Sequence, residues 1–324
     1  MTSRSPVVIS MGEPSGIGPE VAVKAWTALG GQIGERRLRL VGSRTVFRAA
    51  AAQCALHDEK LDEDIVDIGN AISVSPGKPS PDTANAVTSA ISECVRFLKA
   101  GDAAALVTAP INKAVLTAAG FGFPGHTEYL AALTGVERAV MMLSAEGLSP
   151  RLRVVPFTVH TPIKAALRAL SSDSICACAE ILLEALRGDF GITAPRIAVA
   201  GLNPHAGEGG TIGHEDQEII APAISRLRAR GHAVSGPYPA DTLFHDEARG
   251  EYDAALCMYH DQALIPIKTL AFWTSVNITL GLPIVRTSPD HGTALDIAGR
   301  GIANEKSMIA AIQTAADIAD RRGL

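Results

Sequence analysis

Short apolar runs punctuate the chain at residues 7–9, 38–41, 105–107, 154–159, 197–200, 254–258 and 276–279. Between several of them lie longer Ala/Leu-rich segments, 84–98, 161–170 and 173–186, whose apolar residues recur at helical spacing. A last such segment, 306–322, predicts an amphipathic terminal helix. Strand–helix alternation of this kind predicts an α/β fold with mostly parallel sheets and helices on both faces. There is no internal repeat, low-complexity tract or obvious linker, and the Pro/Gly-rich stretch 75–81 reads as an exposed loop.

Length and composition narrow the class. The 324 residues are 47% hydrophobic and suit two domains or one large unit of two lobes, with core enough to need no disulfide or structural metal. A net charge of -5 and the lack of any basic run argue against a nucleic-acid partner or a membrane surface. Five scattered cysteines, Cys54, Cys94, Cys176, Cys178 and Cys257, fit no zinc or redox spacing and read as small buried hydrophobes in a reducing compartment. Residues 1–16 carry no long apolar leader, and no segment reaches the roughly 18 apolar residues of a membrane span. A soluble, cytoplasmic protein is expected.

Polar clusters fall at one kind of place. His160, His205 and His260 each follow a predicted strand, and the carboxyl edge of an open α/β sheet is where ligands bind. Three imidazoles suit a divalent metal with open positions for substrate. Their separations of 45 and 55 residues exceed any local zinc motif, so solvated loop histidines are the competing reading. Asp241 and Asp261 are candidates to orient the imidazoles or assist proton transfer, or are plain turn carboxylates.

Other segments suggest anion and cofactor contacts. Gly12-Glu13-Pro14-Ser15-Gly16-Ile17-Gly18-Pro19-Glu20 resembles a phosphate cradle without the dinucleotide or P-loop pattern, and its glycines equally suit a close backbone approach between lobes. Gly125-His126-Thr127-Glu128 opens a helix through Leu133, where a His-Thr pair suits a carboxylate or phosphate, or Thr127 serves merely as a cap. Lys268, Asn277 and Arg286, nine residues apart, suit a phosphate if they converge. The loop 290–304 resembles the adenosine-binding loop of isocitrate and isopropylmalate dehydrogenases, with Leu295 where that loop has proline.

Taken in order, these motifs, together with Thr108-Ala109-Pro110-Ile111-Asn112-Lys113, Asn203-Pro204-His205-Ala206-Gly207-Glu208 and Tyr259-His260-Asp261-Gln262, resemble the 4-hydroxythreonine-4-phosphate dehydrogenase family of pyridoxal phosphate biosynthesis. The resemblance runs from about residue 10 to residue 304. It implies a two-lobed subunit like isocitrate and isopropylmalate dehydrogenases, expected here as 1–130 plus 265–324 for the first lobe and 131–264 for the second. It implies a homodimer whose active site, in the cleft between lobes, is shared between subunits. One divalent metal (Zn, Mg or Co) is implied on His160, His205 and His260, one of them from the partner subunit. Substrate contacts are implied from His126, Thr127, Lys268, Asn277 and Arg286, and the adenosine of NAD or NADP is expected on His291, Gly292, Thr293, Ala294 and Asp296. The implied reaction oxidises a small phosphorylated hydroxy amino acid, 4-phosphooxy-L-threonine, to a β-keto acid that decarboxylates to 3-amino-2-oxopropyl phosphate. Asp241, Asp261 and Lys268 are the catalytic candidates, with the base left open among Asp241, Asp261 and metal-bound water. A paralogue acting on 4-phospho-threonate or an aromatic dihydrodiol carboxylate is the near alternative, and a three-histidine metal hydrolase the distant one.

Overall fold

The computed structural model describes residues 4–69 and 72–324, which form two compact units, one running to Ala139 and resuming at Leu282, the other spanning Val140–Gly281. Met1, Thr2 and Ser3, part of the N-terminal stretch read above for a leader, lie outside the described residues. Along the first unit come β1 (Arg4–Ser10), α1 (Gly18–Ala28), β2 (Gln32–Ile33), β3 (Arg36–Gly42), α2 (Arg44–Gln53), α3 (Leu61–Asp64) and β4 (Ile65–Asp67). They are followed by α4 (Ala84–Ala100), β5 (Ala105–Thr108), α5 (Lys113–Ala118) and α6 (His126–Thr134). The second unit opens with β6 (Val140–Ala145), β7 (Leu152–Pro156), α7 (Ile163–Ala169), α8 (Ser172–Gly188), β8 (Arg196–Ala200) and α9 (Ala221–Ala229). It continues with β9 (Ala233–Tyr238), α10 (Asp246–Arg249), β10 (Ala254–Cys257), α11 (His260–Ala271) and β11 (Val276–Leu280). The chain then returns to the first unit as β12 (Val285–Pro289) and α12 (Lys306–Arg321).

In the first unit the strands run β2-β3-β1-β5-β12, with β4 also on β3, and only β2 pairs antiparallel. Every residue of β5 is buried, as a strand covered on both faces must be. The α4 sequence makes this possible. Ala84, Val87, Ile91, Cys94 and Val95 fall on one helical stripe and join Val8, Val41 and Leu106 in a core cluster. Gly101, at φ 78°, ends the helix in the left-handed conformation glycine adopts without strain. The second, separate core gathers Leu143, Val154, Ala198, Ala255 and Cys257 from strands with Ala263 and Ile267 of α11.

In the second unit the order is β11-β6-β7-β10-β8-β9, antiparallel through β11, β6 and β7 and parallel from there on. The fold is therefore mixed α/β and mostly parallel, as the strand–helix alternation predicts. The unit boundary departs from the expected 264/265. That cut would fall inside α11, and β11 pairs with β6 from Val276–Ser144 to Leu280–Val140, so residues 265–281 complete the second unit. The first boundary falls after Ala139 rather than residue 130, which leaves α6 whole. The 154–159 run is a strand only to Pro156. Four of the five cysteines are buried, Cys54 is partly so, and all are free thiols.

Candidate active site

The first unit carries a basic pocket. Arg286 lies on β12, opposite Leu106 of β5, and is 3% exposed. Its guanidinium donates from Nε and Nη2 to Thr108 Oγ1 at 3.1 and 2.6 Å. Burial lowers its pKa to about 9, still above neutrality, so the charge is held in a poorly solvated place where an anion gains most from it. His126 opens α6, and its Nε2 is buried with no hydrogen-bond partner. Burial first, then the charges of Arg286 and Lys113, drive its pKa well below the usual value, so the ring is neutral at pH 7. Lys113 lies close to the backbone of Gly125. A Cβ there would lie 3.3 Å from Lys113 Cε and 3.4 Å from its Nζ. Thr127 follows in the same first turn. An orphaned polar nitrogen beside two cations is a donor set suited to an anion.

Also in this unit, the loop 290–301 is held in place by the glycine-rich segment after β1. Ile17 N donates to Thr293 O at 2.9 Å, and a Cβ on Gly16 would sit 2.8 Å from that same oxygen. Gly16 thus serves a close backbone approach, but to a loop of its own unit rather than between lobes. Farther along, Glu20 Oε1 accepts from Ala303 N at 2.7 Å, and Lys24 Nζ donates to the Gly301 and Ala303 carbonyls at 2.8 and 2.7 Å. Ala294 is held at φ 41°, and Gly292 and Asp296 are exposed. His291 Nδ1 lies 3.0 Å from Gly292 O.

The second unit carries all three candidate metal ligands, each just past the end of a parallel strand. His160 follows β7, His205 follows β8 and His260 follows β10, which lies between the other two. Parallel strands are about 4.8 Å apart, so adjacent ends bring their loops together. Side chains tie these loops. Thr158 Oγ1 donates to Met258 O at 3.0 Å, while Gln262 accepts from Met258 N and donates to Gly201 O, both at 2.7 Å.

The His160 and His260 ring centroids are 5.4 Å apart. Two imidazoles on one tetrahedral cation, with N–metal bonds of about 2.1 Å, would put their centroids about 5 Å apart. This pair therefore fits a shared ion. Asp261 Oδ1 lies 2.7 Å from His260 Nδ1, so a proton on Nδ1 leaves Nε2 as the electron-pair donor. His205 does not complete the set, since among the described residues no three His, Cys, Asp or Glu side chains are placed to hold one ion.

The loops themselves are strained. His160 has φ 51°, and residues 205–209 form a left-handed turn with φ between 40° and 78°. Three of those five, His205, Ala206 and Glu208, are not glycine, and each costs about 1–2 kcal/mol there. Strain of this kind persists where surroundings impose it, commonly at functional sites.

Lys268 and Asn277 lie in the second unit, on α11 and β11. Asn277 Oδ1 is buried and accepts no hydrogen bond, and Lys268 Nζ sits 5.4 Å from the Phe272 ring centroid. Asp241 is exposed on the wall of a groove of about 960 Å³ whose apolar lining includes Ile163, Leu167, Ile265 and Leu270. The Thr108 to Lys113 motif carries the family resemblance but no assigned role, and Asp216 lies outside every motif. A threonine at a strand end and a lysine in the Asn112-Lys113 pair carry weak signals, and Asp216 carries none until its loop is folded.

A β-decarboxylating dehydrogenase from Thermococcus kodakarensis, 17% identical, superposes with a TM-score of 0.51 over 98% of this chain and 84% of its own, a likeness of fold. Residues 33–315 match the family described as pyridoxal phosphate biosynthetic protein PdxA, and the chain belongs to that family. It is 51% identical to the 4-hydroxythreonine-4-phosphate dehydrogenase of Caulobacter vibrioides, over the whole of both chains. The crystal structure of the 4-hydroxythreonine-4-phosphate dehydrogenase from Klebsiella pneumoniae is 37% identical, with a TM-score of 0.83 over 97% of this chain and 99% of that one. More distant is a terephthalate 1,2-cis-dihydrodiol dehydrogenase from Burkholderia xenovorans LB400, 31% identical, TM-score 0.64, over 96% of this chain and 98% of its own.

Proposed function

We propose that the protein oxidises 4-phosphooxy-L-threonine with NAD or NADP, giving a β-keto acid that decarboxylates to 3-amino-2-oxopropyl phosphate. The observation that carries the substrate class is the buried Arg286, with Thr108 and the orphaned His126 Nε2 beside it. A charge kept out of water at the cost of its own pKa favours a strongly anionic group, and so a phosphorylated acid over an aromatic dihydrodiol carboxylate. His126, Thr127, Lys268, Asn277 and Arg286 contact the substrate, with Arg286 on its phosphate.

His160, His205 and His260 are proposed to bind one divalent cation, Zn, Mg or Co, in a homodimer whose partner subunit supplies one of the three. The paired rings of His160 and His260 support this, as does the exposed apolar face of α7 and α11 with Ile163 57% and Ile265 63% exposed. Such a face suits a second copy of the chain. When bound, the cation supplies Lewis-acid stabilisation to the oxygen being oxidised. Asp261 orients His260 and is one candidate base, Asp241 another. The loop 290–301 takes the cofactor's adenosine on His291, Gly292, Thr293, Ala294 and Asp296. No helix among the described residues is long and apolar enough to cross a membrane, and a cytoplasmic setting suits the substrate and cofactor.

Absorbance at 340 nm on mixing protein, divalent metal, NAD and 4-phosphooxy-L-threonine tests the reaction. Growth of a pyridoxine auxotroph carrying the gene tests the substrate. Reduction of NAD with 4-phospho-threonate but not with 4-phosphooxy-L-threonine would move the assignment to the paralogous reaction, and no reduction with either would remove it.

A further inference from the structure

The loop that bears His205 needs something to hold it. Five successive residues, 205–209, lie in the left-handed region, and the turn's backbone bonds are local, with Ala206 N donating to Asn203 O at 3.0 Å and Ile212 N to Gly207 O at 3.1 Å. What grips the start of the turn is one carboxylate. Asp216, 1% exposed, lies in a single π-helical turn (Asp216–Ile220) that leads into α9. Its Oδ1 accepts from Leu202 N at 2.8 Å, and its Oδ2 accepts from Asn203 N at 3.1 Å and from Asn203 Nδ2 at 2.9 Å. The Asn203 amide also donates to Glu215 Oε2 at 2.9 Å.

The fit around that carboxylate is close. A Cβ on Gly201 would lie 2.9 Å from Asp216 Oδ1, and one on Gly207 would lie 3.3 Å from Oδ2. Asparagine at 216 would keep one acceptor and turn an NH2 group toward donors, so the three bonds could not all be made. His205 itself is exposed, and its ring has no hydrogen-bond partner among the described residues. Its placement therefore depends on the backbone beneath it.

We propose that Asp216 is the positioning residue that fixes the left-handed turn of His205 and thereby sets the affinity of the histidine site for a divalent cation. This rests on the metal reading given under Proposed function. Asn203 acts in the same arrangement with a smaller share, because its loss leaves both backbone donors bonded to Asp216. Support groups of this kind usually govern metal affinity by about 10–100-fold.

The test is titration of the metal-stripped, full-length protein with Co(II) alone, followed by calorimetry. Asp216→Asn is expected to weaken Co(II) binding about 10–100-fold and Asn203→Ala by less, in the same direction. NADH binding, read by fluorescence, should stay at the wild-type value in both. Should Asp216→Asn fail to fold, Asn203→Ala decides alone, and wild-type Co(II) affinity in it overturns the inference. Wild-type affinity in both variants, with His205→Ala losing the metal, overturns the role of Asp216 and leaves the metal reading standing. Wild-type affinity in His205→Ala removes the metal reading, and the inference falls with it.

Discussion

Arg286 in the first unit rides on a strand, 3% exposed and bonded to Thr108, whereas His205 in the second is exposed on a left-handed turn. The basic pocket is made by regular secondary structure. β5 and β12 run in register, and the side chains at their ends meet with no unusual backbone. The histidine edge is made by irregular loops at the ends of β7, β8 and β10, with two of its three histidines at positive φ. The first arrangement puts the cost into desolvating a charge, and the second into backbone strain. An anion can be met by a fixed, dry pocket. A cation demands that ligands be aimed to within tenths of an ångström, which strand geometry alone does not supply.

The comparison breaks most sharply at the histidines. His205→Ala is expected to abolish turnover and bound metal while the far-ultraviolet circular dichroism stays that of the wild type, since an exposed loop side chain contributes nothing to either core. Full metal content by elemental analysis in that variant would strip His205 of its role. Arg286→Met should be nearly as damaging but in another quantity. Losing a charged, doubly donating group costs roughly 3 kcal/mol, or about 100-fold in KM for the phosphorylated substrate. Cofactor KM should hardly move. An unchanged substrate KM, or equal activity on the dephosphorylated compound, would separate the pocket from phosphate. Asp261→Asn should be milder, about 10-fold in metal affinity, because Asp261 is 69% exposed and water can replace part of its bond to His260. A loss as great as that of His205→Ala would instead make Asp261 a direct ligand.

The two regions also differed in how far the chain alone reveals them. The strands under the histidines were legible because buried parallel strands are short apolar runs, and 197–200 and 254–258 stand out as such. The α4 stripe was legible for the matching reason, a period near 3.6 with glycine just past its end. None of the predicted strands falls on β2, β4, β6, β9 or β12. β12 reads Val285-Arg286-Thr287-Ser288-Pro289, and its polar residues are buried by a partner 178 positions upstream, as when Arg286 donates to Thr108, or by α12, as when Thr287 Oγ1 donates to Ala311 O. That Arg286 belongs to one unit and Lys268 and Asn277 to the other was equally hidden. Even spacing says nothing about which unit a residue joins. That is fixed by the antiparallel pairing of β11 with β6, a contact across more than a hundred residues. Asp216 is the extreme case, since a lone aspartate acquires meaning only after Leu202 and Asn203 have turned their donors toward it.

The smallest expected effect concerns pH and belongs to His126. In the unfolded chain this ring takes a proton near pH 6.5, whereas in the fold burial, Arg286 and Lys113 hold it neutral to a lower pH. Between those two values the unfolded state binds more protons, so stability falls as pH falls, and well above pH 6.5 the group contributes nothing. From pH 7.5 to pH 6.0 the loss attributable to His126 amounts to about 0.8 kcal/mol at most, taking an unfolded pKa of about 6.5. Many other groups titrate over that range, so the quantity to measure is a difference. Urea unfolding of the wild type and of His126→Gln at both pH values should show the wild type losing more, by up to that amount. The same subtraction at pH 8 and pH 7.5 should give nothing. Inorganic phosphate sharpens the comparison further, because an anion bound between Arg286 and His126 offsets the positive field and raises the ring's pKa. Its presence should shrink the wild-type loss toward that of the variant. A wild-type loss equal to the variant's without phosphate would mean that His126 titrates as an ordinary solvated histidine, and the pocket would then lack the dryness on which its selectivity for a phosphate depends.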